Sequence, residues 1–269
     1  KNVIIERGEA KYPSVINKII SKYKPEYIFH LAALPLAKLQ NLNSDEAAEG
    51  SILTTTNIIN AVENLRAISN YELKKFVYAS SSMVYGDFKS STINEKHPTN
   101  PKEVYGTMKL AGEIVTRGLC NFYKVPWTIV RPSAVFGPTD MNNRVSQIII
   151  DKALNNETID IFGKEEKLDF TYVKNLSLGF IKVATHENGL NQVFNITNGK
   201  AHSILEYVEE VKKYLPNINY QIHERDESRP VRGTLSNEKI IKKIDFKPPY
   251  TFEDGIKEYV EYKLNENKN

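Results

Sequence analysis

Apolar and polar positions in the first half of the chain follow two alternating periods. An apolar stripe at helical spacing recurs in three segments, at 14–23, 44–65 and 101–123. Short apolar runs between and before these segments predict strands, at 3–5, 27–31, 75–79 and 127–130. Strands that alternate with helices indicate a parallel sheet with helices on both faces, which is an α/β fold.

The regular alternation of strands and helices ends after Gly137 and Pro138, and the predicted elements that follow are shorter. Predicted strands lie at 159–162, 169–173 and 193–195. Predicted helices lie at 145–154, 174–185, 205–214, 239–242 and 252–262. This half of the chain is typical of a smaller mixed lobe that is interleaved with the end of the main sheet.

The composition argues against several classes of protein. With 269 residues, 41% of them hydrophobic, the chain can bury a substantial core, and 36 basic residues against 33 acidic ones leave a charge of +3. Because the lysines are dispersed, we expect no nucleic-acid partner. Because no apolar run could span a bilayer, we expect no membrane segment. The single cysteine, Cys120, excludes an internal disulfide and favours a cytoplasmic location.

The strongest candidate chemistry is a tyrosine and a lysine four residues apart on a predicted helix. Tyr105 and Lys109 share one helical face, where an ammonium would stabilise a tyrosine phenolate and lower its pKa. Upstream, Ser80, Ser81 and Ser82 follow a predicted strand and could bind the oxygen that the tyrosine deprotonates. These groups are suited to moving a proton and a hydride at a carbinol carbon.

Several of the candidate residues also have a purely structural interpretation. His30 belongs to an apolar strand and is expected to be a hydrogen-bonded core histidine, and Cys120 a buried small side chain. The serines could form a plain turn. Arg229 and Arg232 could be surface charges.

Four motifs stand in a fixed order along the chain. They are HLAA at 30–33, SSSMVYG at 80–86, YGTMK at 105–109 and RPSAVFGP at 131–138. This ordered set resembles the extended short-chain dehydrogenase/reductase family, in its branch of nucleotide-sugar epimerases and dehydratases. LDFTYV at 168–173 looks like a strand of that family's substrate lobe, and RPVRGTL at 229–235 looks like its late arginine loop. The resemblance covers essentially the whole chain.

The resemblance implies a doubly wound, Rossmann-type parallel sheet with a smaller C-terminal α/β lobe. Residues 1–137 would form the dinucleotide-binding domain, and residues 138–269 mainly the substrate lobe, interleaved with the end of the sheet. Tyr105 would be the general acid/base and Ser81 its hydroxyl partner. Lys109 would bind the nicotinamide ribose and keep the phenol ionisable.

The resemblance also implies binding residues for NAD, with NADP not excluded, and for a nucleotide-sugar substrate. The cofactor residues would be Glu9, Leu31, Ala32, Ala33, Leu34, Ser51, Ala79, Ser80, Tyr105, Lys109, Pro132 and Ser133. The substrate residues would be Ser81, Ser82, Met83, Tyr105, Ala134, Asn143, Arg144, Val145, Asp160, Phe162, Arg229 and Arg232. Asn143 to Val145 and one of the late arginines would meet the diphosphate, and Asp160 and Phe162 would flank the base. No metal site is expected.

One feature of the family is missing from this sequence. The Gly-x-x-Gly-x-x-Gly turn after the first strand is absent, and so is the acidic residue that follows the second strand. Residues 2–9 look like the third strand and its turn, with Glu9 at the adenine-contacting position. Because the first strand is central in such a sheet, we expect that a leading segment was lost, trimmed or left out. Direct pairing of 3–5 with 27–31 would refute this expectation.

The residues after the catalytic serine bear on the type of reaction. Dehydratases of this family carry an Asp-Glu pair there, whereas this chain has Ser82 and Met83, so dehydration is disfavoured. The leading hypothesis is NAD-dependent epimerisation of a nucleotide-diphosphate sugar, most plausibly at C4, through a transient keto-sugar. The alternatives are an NAD(P)H-dependent reductase of a 4-keto sugar and a non-catalytic dinucleotide- or sugar-binding module. Relatives form homodimers through two long helices, for which those ending near Leu65 and Tyr123 are the candidates.

Overall fold

The computed structural model describes residues 3–33 and 44–266. Its strands are β1 (Tyr27–His30), β2 (Lys75–Ala79), β3 (Thr92–Ile93), β4 (Trp127–Arg131), β5 (Val135–Phe136), β6 (Ile159–Phe162), β7 (Lys167–Leu168), β8 (Thr171–Tyr172), β9 (Gln192–Asn195), β10 (His202–Ser203), β11 (Tyr220–His223) and β12 (Thr234–Leu235). Its helices are α1 (Pro13–Tyr23), α2 (Ser44–Ala48), α3 (Thr54–Ile68), α4 (Val104–Phe122), α5 (Val145–Leu154), α6 (Val173–Thr185), α7 (Ile204–Lys212), α8 (Glu238–Ile244) and α9 (Phe252–Glu266).

A four-stranded parallel sheet of order β1-β2-β4-β9 carries the fold. Side chains of β2 alternate between its faces, as strand geometry requires. Phe76 and Tyr78 pack with α1, α3 and α4 in one core, whereas Val77 packs with α6 and α8 in another. The predicted α/β class, with a parallel sheet between helical layers, is thus confirmed.

A further core, which forms the second lobe, lies in the C-terminal half of the chain. It is built from α5, α7, α9 and short strands around Phe136, Phe170 and Tyr207. Asp169 is fully buried and accepts hydrogen bonds from the Thr197 hydroxyl at 3.0 Å and the Leu235 amide at 3.1 Å. Burial raises the pKa of Asp169 to about 7. This carboxyl group therefore links the loop between β7 and β8 to the segment after β9 and to β12.

The strand predicted at 3–5 was wrong, because a strand depends on its neighbours. Val3 and Ile5 lie in no strand and are each 82% exposed, since no strand of the described ranges runs beside them to complete a ladder. The strand predicted at 27–31 is confirmed as β1, which pairs with β2 on one side and leaves Phe29 39% exposed. The predicted strand at 169–173 is reduced to β8, and β11, which pairs in parallel with β6, was not predicted.

The helix predictions hold with smaller changes. The helix predicted at 44–65 is divided into α2 and α3 by a π-helical turn over Glu49–Leu53. The long helix predicted from residue 101 begins at Val104. A 3-10 turn over Ser82–Tyr85 follows β2 and faces the start of that helix.

Candidate active site

The first turn of α4 approaches the turn after β2 unusually closely. Gly106 makes this possible, because a Cβ atom there would lie 2.6 Å from the backbone oxygen of Met83. The neighbouring Tyr105 is consequently carried towards the serine cluster, where burial raises the pKa of its phenol and the Ser81 side chain lowers it. The two groups that the sequence proposed to share one substrate oxygen are thus brought to the same place.

The serine turn is fixed to the sheet by its backbone. The amides of Ser80 and Ser82 donate to the carbonyls of Val130 and Pro132, each at 2.8 Å. The Ser81 hydroxyl caps the 3-10 turn by accepting from the Met83 amide at 3.1 Å. The position of the Ser81 oxygen is therefore set by β2 and β4 together.

Lys109 lies one helical turn after Tyr105, with its ammonium 5.8 Å from the centre of the tyrosine ring. The ammonium donates to the Ala79 carbonyl at 2.7 Å, and burial lowers the pKa of Lys109 to about 8. An ammonium has three hydrogens, and no carboxylate of the described residues lies within ion-pair distance of this one. A buried cation with donors to spare fits the hydroxyls of a nicotinamide ribose.

The charge that acts on the Tyr105 phenol differs from the one that the sequence suggested. Burial raises the pKa of Tyr105, while the positive charge of Arg144 and the hydrogen bond from Ser81 lower it. The Arg144 guanidinium is held by a hydrogen bond to the Val135 carbonyl at 2.9 Å. The sequence analysis assigned Arg144 to the diphosphate and missed its effect on the phenol, because the two residues lie 39 positions apart, Tyr105 in the first turn of α4 and Arg144 just before α5.

The two late arginines have different environments. Arg232 donates to the Ser82 hydroxyl at 2.7 Å, to the Ser133 hydroxyl at 3.2 Å and to the Met83 sulfur at 2.8 Å. Burial lowers the pKa of Arg232 to about 10. Arg229 is exposed and forms an ion pair with Asp226 at 3.0 Å. Of the two candidates, Arg232 is therefore the one that the fold brings to the serine turn.

The cofactor residues named from the sequence fall into two groups. Those at the carboxyl ends of the parallel strands converge, and they are Leu31, Ala32 and Ala33 after β1, Ala79 and Ser80 at β2, and Pro132 and Ser133 after β4. Ser51 is buried in the π-helical turn. Glu9 is exposed and lies 3.6 Å from Lys11. Leu34 lies outside the described residues.

The residues named for the far end of the substrate lie on the second lobe. Phe162, 47% exposed, stacks on the ring of His223 with 4.8 Å between ring centres. Asp160 pairs with His223 at 2.9 Å and with Lys152 at 3.0 Å. His223 was missed because its strand was not predicted, although its pairing with β6 places it beside Phe162.

The segment from the end of β4 to the first residue of α5 contains the remaining substrate residues. Ala134 and Asn143 both have positive φ, at 35° and 50°, and the Asn143 amide donates to the Gln147 side chain at 2.9 Å. Val145 packs against the core of the second lobe. Val135 to Asp140, Arg144 and Val173 line a cavity of about 160 Å³ next to this loop.

Two structural interpretations are confirmed. His30 is buried between the rings of Phe76 and Tyr78, with its Nε2 atom 3.0 Å from the Thr55 hydroxyl. Cys120 is buried, and burial raises its pKa to about 12. Over residues 3–33 and 44–266, no helix is both long and apolar enough to cross a membrane.

A parallel sheet with a serine after one strand, and with a tyrosine and a lysine on the helix that faces it, is typical of a dinucleotide-dependent class of enzyme. A family profile described as NAD dependent epimerase/dehydratase family matches residues 2–197. The chain belongs to that family of NAD-dependent enzymes, whose members act on nucleotide sugars.

Individual relatives show the same range of activities. A Methanocaldococcus jannaschii protein, provisionally assigned as a UDP-glucose 4-epimerase, is 28% identical over 248 residues, covering 90% of this chain and 78% of that protein. The dTDP-glucose 4,6-dehydratase of Shigella flexneri is 25% identical over 274 residues, covering 93% of this chain and 75% of the dehydratase. The Thermotoga maritima UDP-glucose 4-epimerase structure with UDP-glucose has a TM-score of 0.87 at 24% identity, covering 97% of this chain and 84% of that one.

Proposed function

We propose that this protein epimerises a nucleotide-diphosphate sugar at C4 through a transient keto-sugar. The observation that carries the proposal is the close approach of the first turn of α4 to the serine turn, which brings Tyr105 to Ser81, with the Lys109 ammonium 5.8 Å from the centre of the tyrosine ring. The neutral pair Ser82 and Met83 at the next two positions supports epimerisation over dehydration. Elimination of water needs an additional acid and base at the reacting carbons, and these two side chains supply neither.

In this mechanism the protein moves a proton and orients the sugar, and bound NAD supplies the acceptor and donor of the hydride. Tyr105 takes the proton from the C4 hydroxyl and returns it when the configuration has inverted. Ser81 holds the same oxygen in line with the phenol. Lys109 binds the ribose hydroxyls and fixes the cofactor relative to Tyr105.

The residues around the turn also suggest how the substrate is held. Arg232 already contacts the Ser82 and Ser133 hydroxyls, and its free donors suit a diphosphate or sugar oxygen. The exposed ring of Phe162, stacked on His223, offers a platform for the nucleobase. Arg144 and Asn143, which immediately precede α5, would approach the diphosphate.

The identity of the bound nucleotide tests the reaction type. We expect denatured protein to release NAD, and epimerisation to proceed without added cofactor, because the hydride returns to the same sugar. Stoichiometric oxidation of added NADPH with a 4-keto sugar would establish the reductase instead. Deuterium at C4 of the substrate should be retained in the product of an epimerase.

Tyr105→Phe tests whether the site is catalytic. Because the phenol is the acid/base group, kcat should fall by roughly a hundred- to ten-thousandfold, with NAD still bound. Tyr123→Phe, which removes a hydroxyl from the end of the same helix, is the control. Full activity of Tyr105→Phe would contradict the mechanism, and binding without turnover in the unaltered protein would favour a non-catalytic module.

Three broader features remain part of the proposal. The division into a dinucleotide-binding domain and a substrate lobe is supported by the separate hydrophobic cores. A cytoplasmic location is supported by the single, buried cysteine. A homodimer through α3 and α4 is supported by exposed apolar side chains on those helices, and a role in cell-surface polysaccharide biosynthesis by the nucleotide-sugar chemistry.

A further inference from the structure

A buried ion pair lies directly behind the candidate active site. Glu113 is fully buried, and its carboxylate accepts bonds from Arg131 through Nε at 2.8 Å and through a terminal nitrogen at 2.7 Å. The same carboxylate accepts a third bond from the Ser80 hydroxyl at 2.5 Å. None of the mechanistic steps proposed for Tyr105 requires Glu113 or Arg131.

Each group in this cluster belongs to a different part of the active site. Glu113 lies on α4, two turns after Tyr105 and one turn after Lys109, so the three residues share a helical face. Ser80 immediately precedes Ser81. Arg131 ends β4 and immediately precedes Pro132 and Ser133. One carboxylate therefore connects the helix, the serine turn and the strand that together form the site.

The cluster also reaches the far side of the serine turn. The Arg131 guanidinium lies 4.8 Å from the ring centre of Tyr85, the last residue of the 3-10 turn. The Tyr85 hydroxyl donates to the Asn195 side chain at 2.8 Å, at the end of β9. The segment from Ser80 to Tyr85, which carries Ser81, is thus held at its first residue by Glu113 and at its last by Arg131 and Asn195.

We propose that Glu113 is a positioning residue that sets the Ser81 hydroxyl against the Tyr105 phenol through Ser80, with Arg131 as its counter-ion. Burying a carboxylate and a guanidinium is costly unless the two are paired, so separating Glu113 from Arg131 is strongly unfavourable. A bidentate geometry is directional as well as charged. It therefore holds α4 against the end of β4 more rigidly than apolar packing would, and the Ser80 hydrogen bond extends this restraint to the serine turn. The proposal rests on the proposed function, because it assigns the alignment of that acid/base pair.

Ser80→Ala is the most direct variant, because it removes the link to the serine turn and leaves the ion pair intact. We expect kcat to fall by roughly tenfold or more, with KM for the nucleotide sugar nearly unchanged. The Ser81 hydrogen bond lowers the pKa of Tyr105, so its loosening should move the acidic limb of the kcat profile to higher pH. Thr128→Val is the matched control. The Thr128 hydroxyl is buried like that of Ser80, but it lies on β4 and donates to the Gly189 carbonyl, away from the serine turn.

A double-mutant cycle separates positioning from general destabilisation. If Ser80 acts through Ser81, Ser80→Ala should have little further effect on kcat in a Ser81→Ala background. A second readout needs no turnover. In protein labelled with 3-fluorotyrosine, the ¹⁹F resonance that Tyr105→Phe removes should titrate at higher pH in Ser80→Ala than in Thr128→Val.

The outcomes distinguish this inference from the proposed function. An unchanged kcat and pH profile in Ser80→Ala, alongside an inactive Tyr105→Phe, would overturn the positioning role and leave the mechanism intact. Full activity in Tyr105→Phe would overturn the mechanism itself. Glu113→Gln should reproduce the pH shift of Ser80→Ala, and Glu113→Asp, which keeps the charge but shortens the reach, should recover part of kcat. Additive losses in the Ser80 and Ser81 double variant would also count against the proposal.

Discussion

At the residue scale, the reactivity of Tyr105 depends on the charges and dipoles that face its phenol. Burial opposes ionisation, and the two groups that favour it are Arg144 and the Ser81 hydroxyl. The Lys109 ammonium donates instead to the Ala79 carbonyl at 2.7 Å. Lys109 is therefore suited to binding a ligand hydroxyl, whereas Arg144 supplies the positive charge that favours ionisation of the Tyr105 phenol.

Arg144→Gln should make the Tyr105 phenol harder to ionise. Removing the positive charge raises the pKa of Tyr105, so the acidic limb of the kcat profile should move to higher pH. At a pH below the limb, kcat should fall about tenfold for each pH unit by which the limb moves. The pH dependence of kcat measures this. Lys242→Gln removes the same charge from an exposed ion pair on α8 and should leave the profile unchanged. The same profile in Arg144→Gln as in the unaltered protein would show that the guanidinium does not act on the phenol.

At the element scale, the distance between α4 and the serine turn controls the site. Two glycines on this helix differ sharply in surroundings. A Cβ atom at Gly106 would meet the Met83 backbone at 2.6 Å, whereas one at Gly118 would meet nothing within 4 Å. Gly106 is thus required by packing, while Gly118 lowers the helix propensity without a packing reason.

Alanine at these two positions should have opposite effects. Gly106→Ala should push α4 from the turn, reduce the free energy of unfolding by about 1–3 kcal/mol and lower kcat by roughly tenfold or more. Gly118→Ala should raise the free energy of unfolding by up to about 1 kcal/mol without changing kcat. Urea denaturation and initial rates provide both measurements. Equal effects at the two sites would disprove the close-approach argument.

At the scale of the whole molecule, buried titratable groups in the sheet link stability to pH. His30 is held neutral in the core, where burial and the charge of Lys109 lower its pKa to about 3. The unfolded chain binds a proton at this residue near pH 6.5 and the folded chain does not. Stability from this group is therefore present above about pH 6.5 and is lost as the pH falls towards 3.

His30→Gln should remove this component of acid sensitivity. In the unaltered protein the component amounts to about 1.4 kcal/mol of unfolding free energy per pH unit between those limits. The stability advantage of the unaltered protein over the variant, determined by urea denaturation from pH 8 down to pH 4, should therefore shrink as pH falls. A difference that stays constant with pH would mean that the histidine is protonated in the folded state.

The surface of the whole molecule bears on the proposed dimer. Ile114 and Phe122 are 57% and 77% exposed on α4, and Ile68 is exposed at the end of α3. Replacing Ile114 and Phe122 by glutamate should convert a two-chain particle into a single chain, because charge at a buried interface is costly. Light scattering after size-exclusion chromatography measures this. Ile181→Glu, on the exposed face of α6, is the control, and an unchanged mass in the double variant would exclude this face.

Much of the architecture follows from local patterns. Apolar periodicity located β2, β4 and their neighbouring helices, because side chains buried on both faces of a parallel sheet leave a continuous signal. The spacing of Tyr105 and Lys109 gave their shared face, since helix geometry alone fixes it. His30 and Cys120 could be assigned to the core because each stands in an apolar stretch of sequence. These features are determined by residues that are close in sequence.

Tertiary structure decided everything that depends on partners distant in the chain. Residues 3–5 have strand-forming composition but no adjacent strand in the described ranges, and β11 becomes a strand because β6 lies beside it. Arg144 supplies a positive charge that acts on the Tyr105 phenol, and the Ser80 hydroxyl donates to Glu113, because electrostatic and hydrogen-bonding partners are set by distance in space. Sequence fixes which groups are present, and the fold fixes which of them meet.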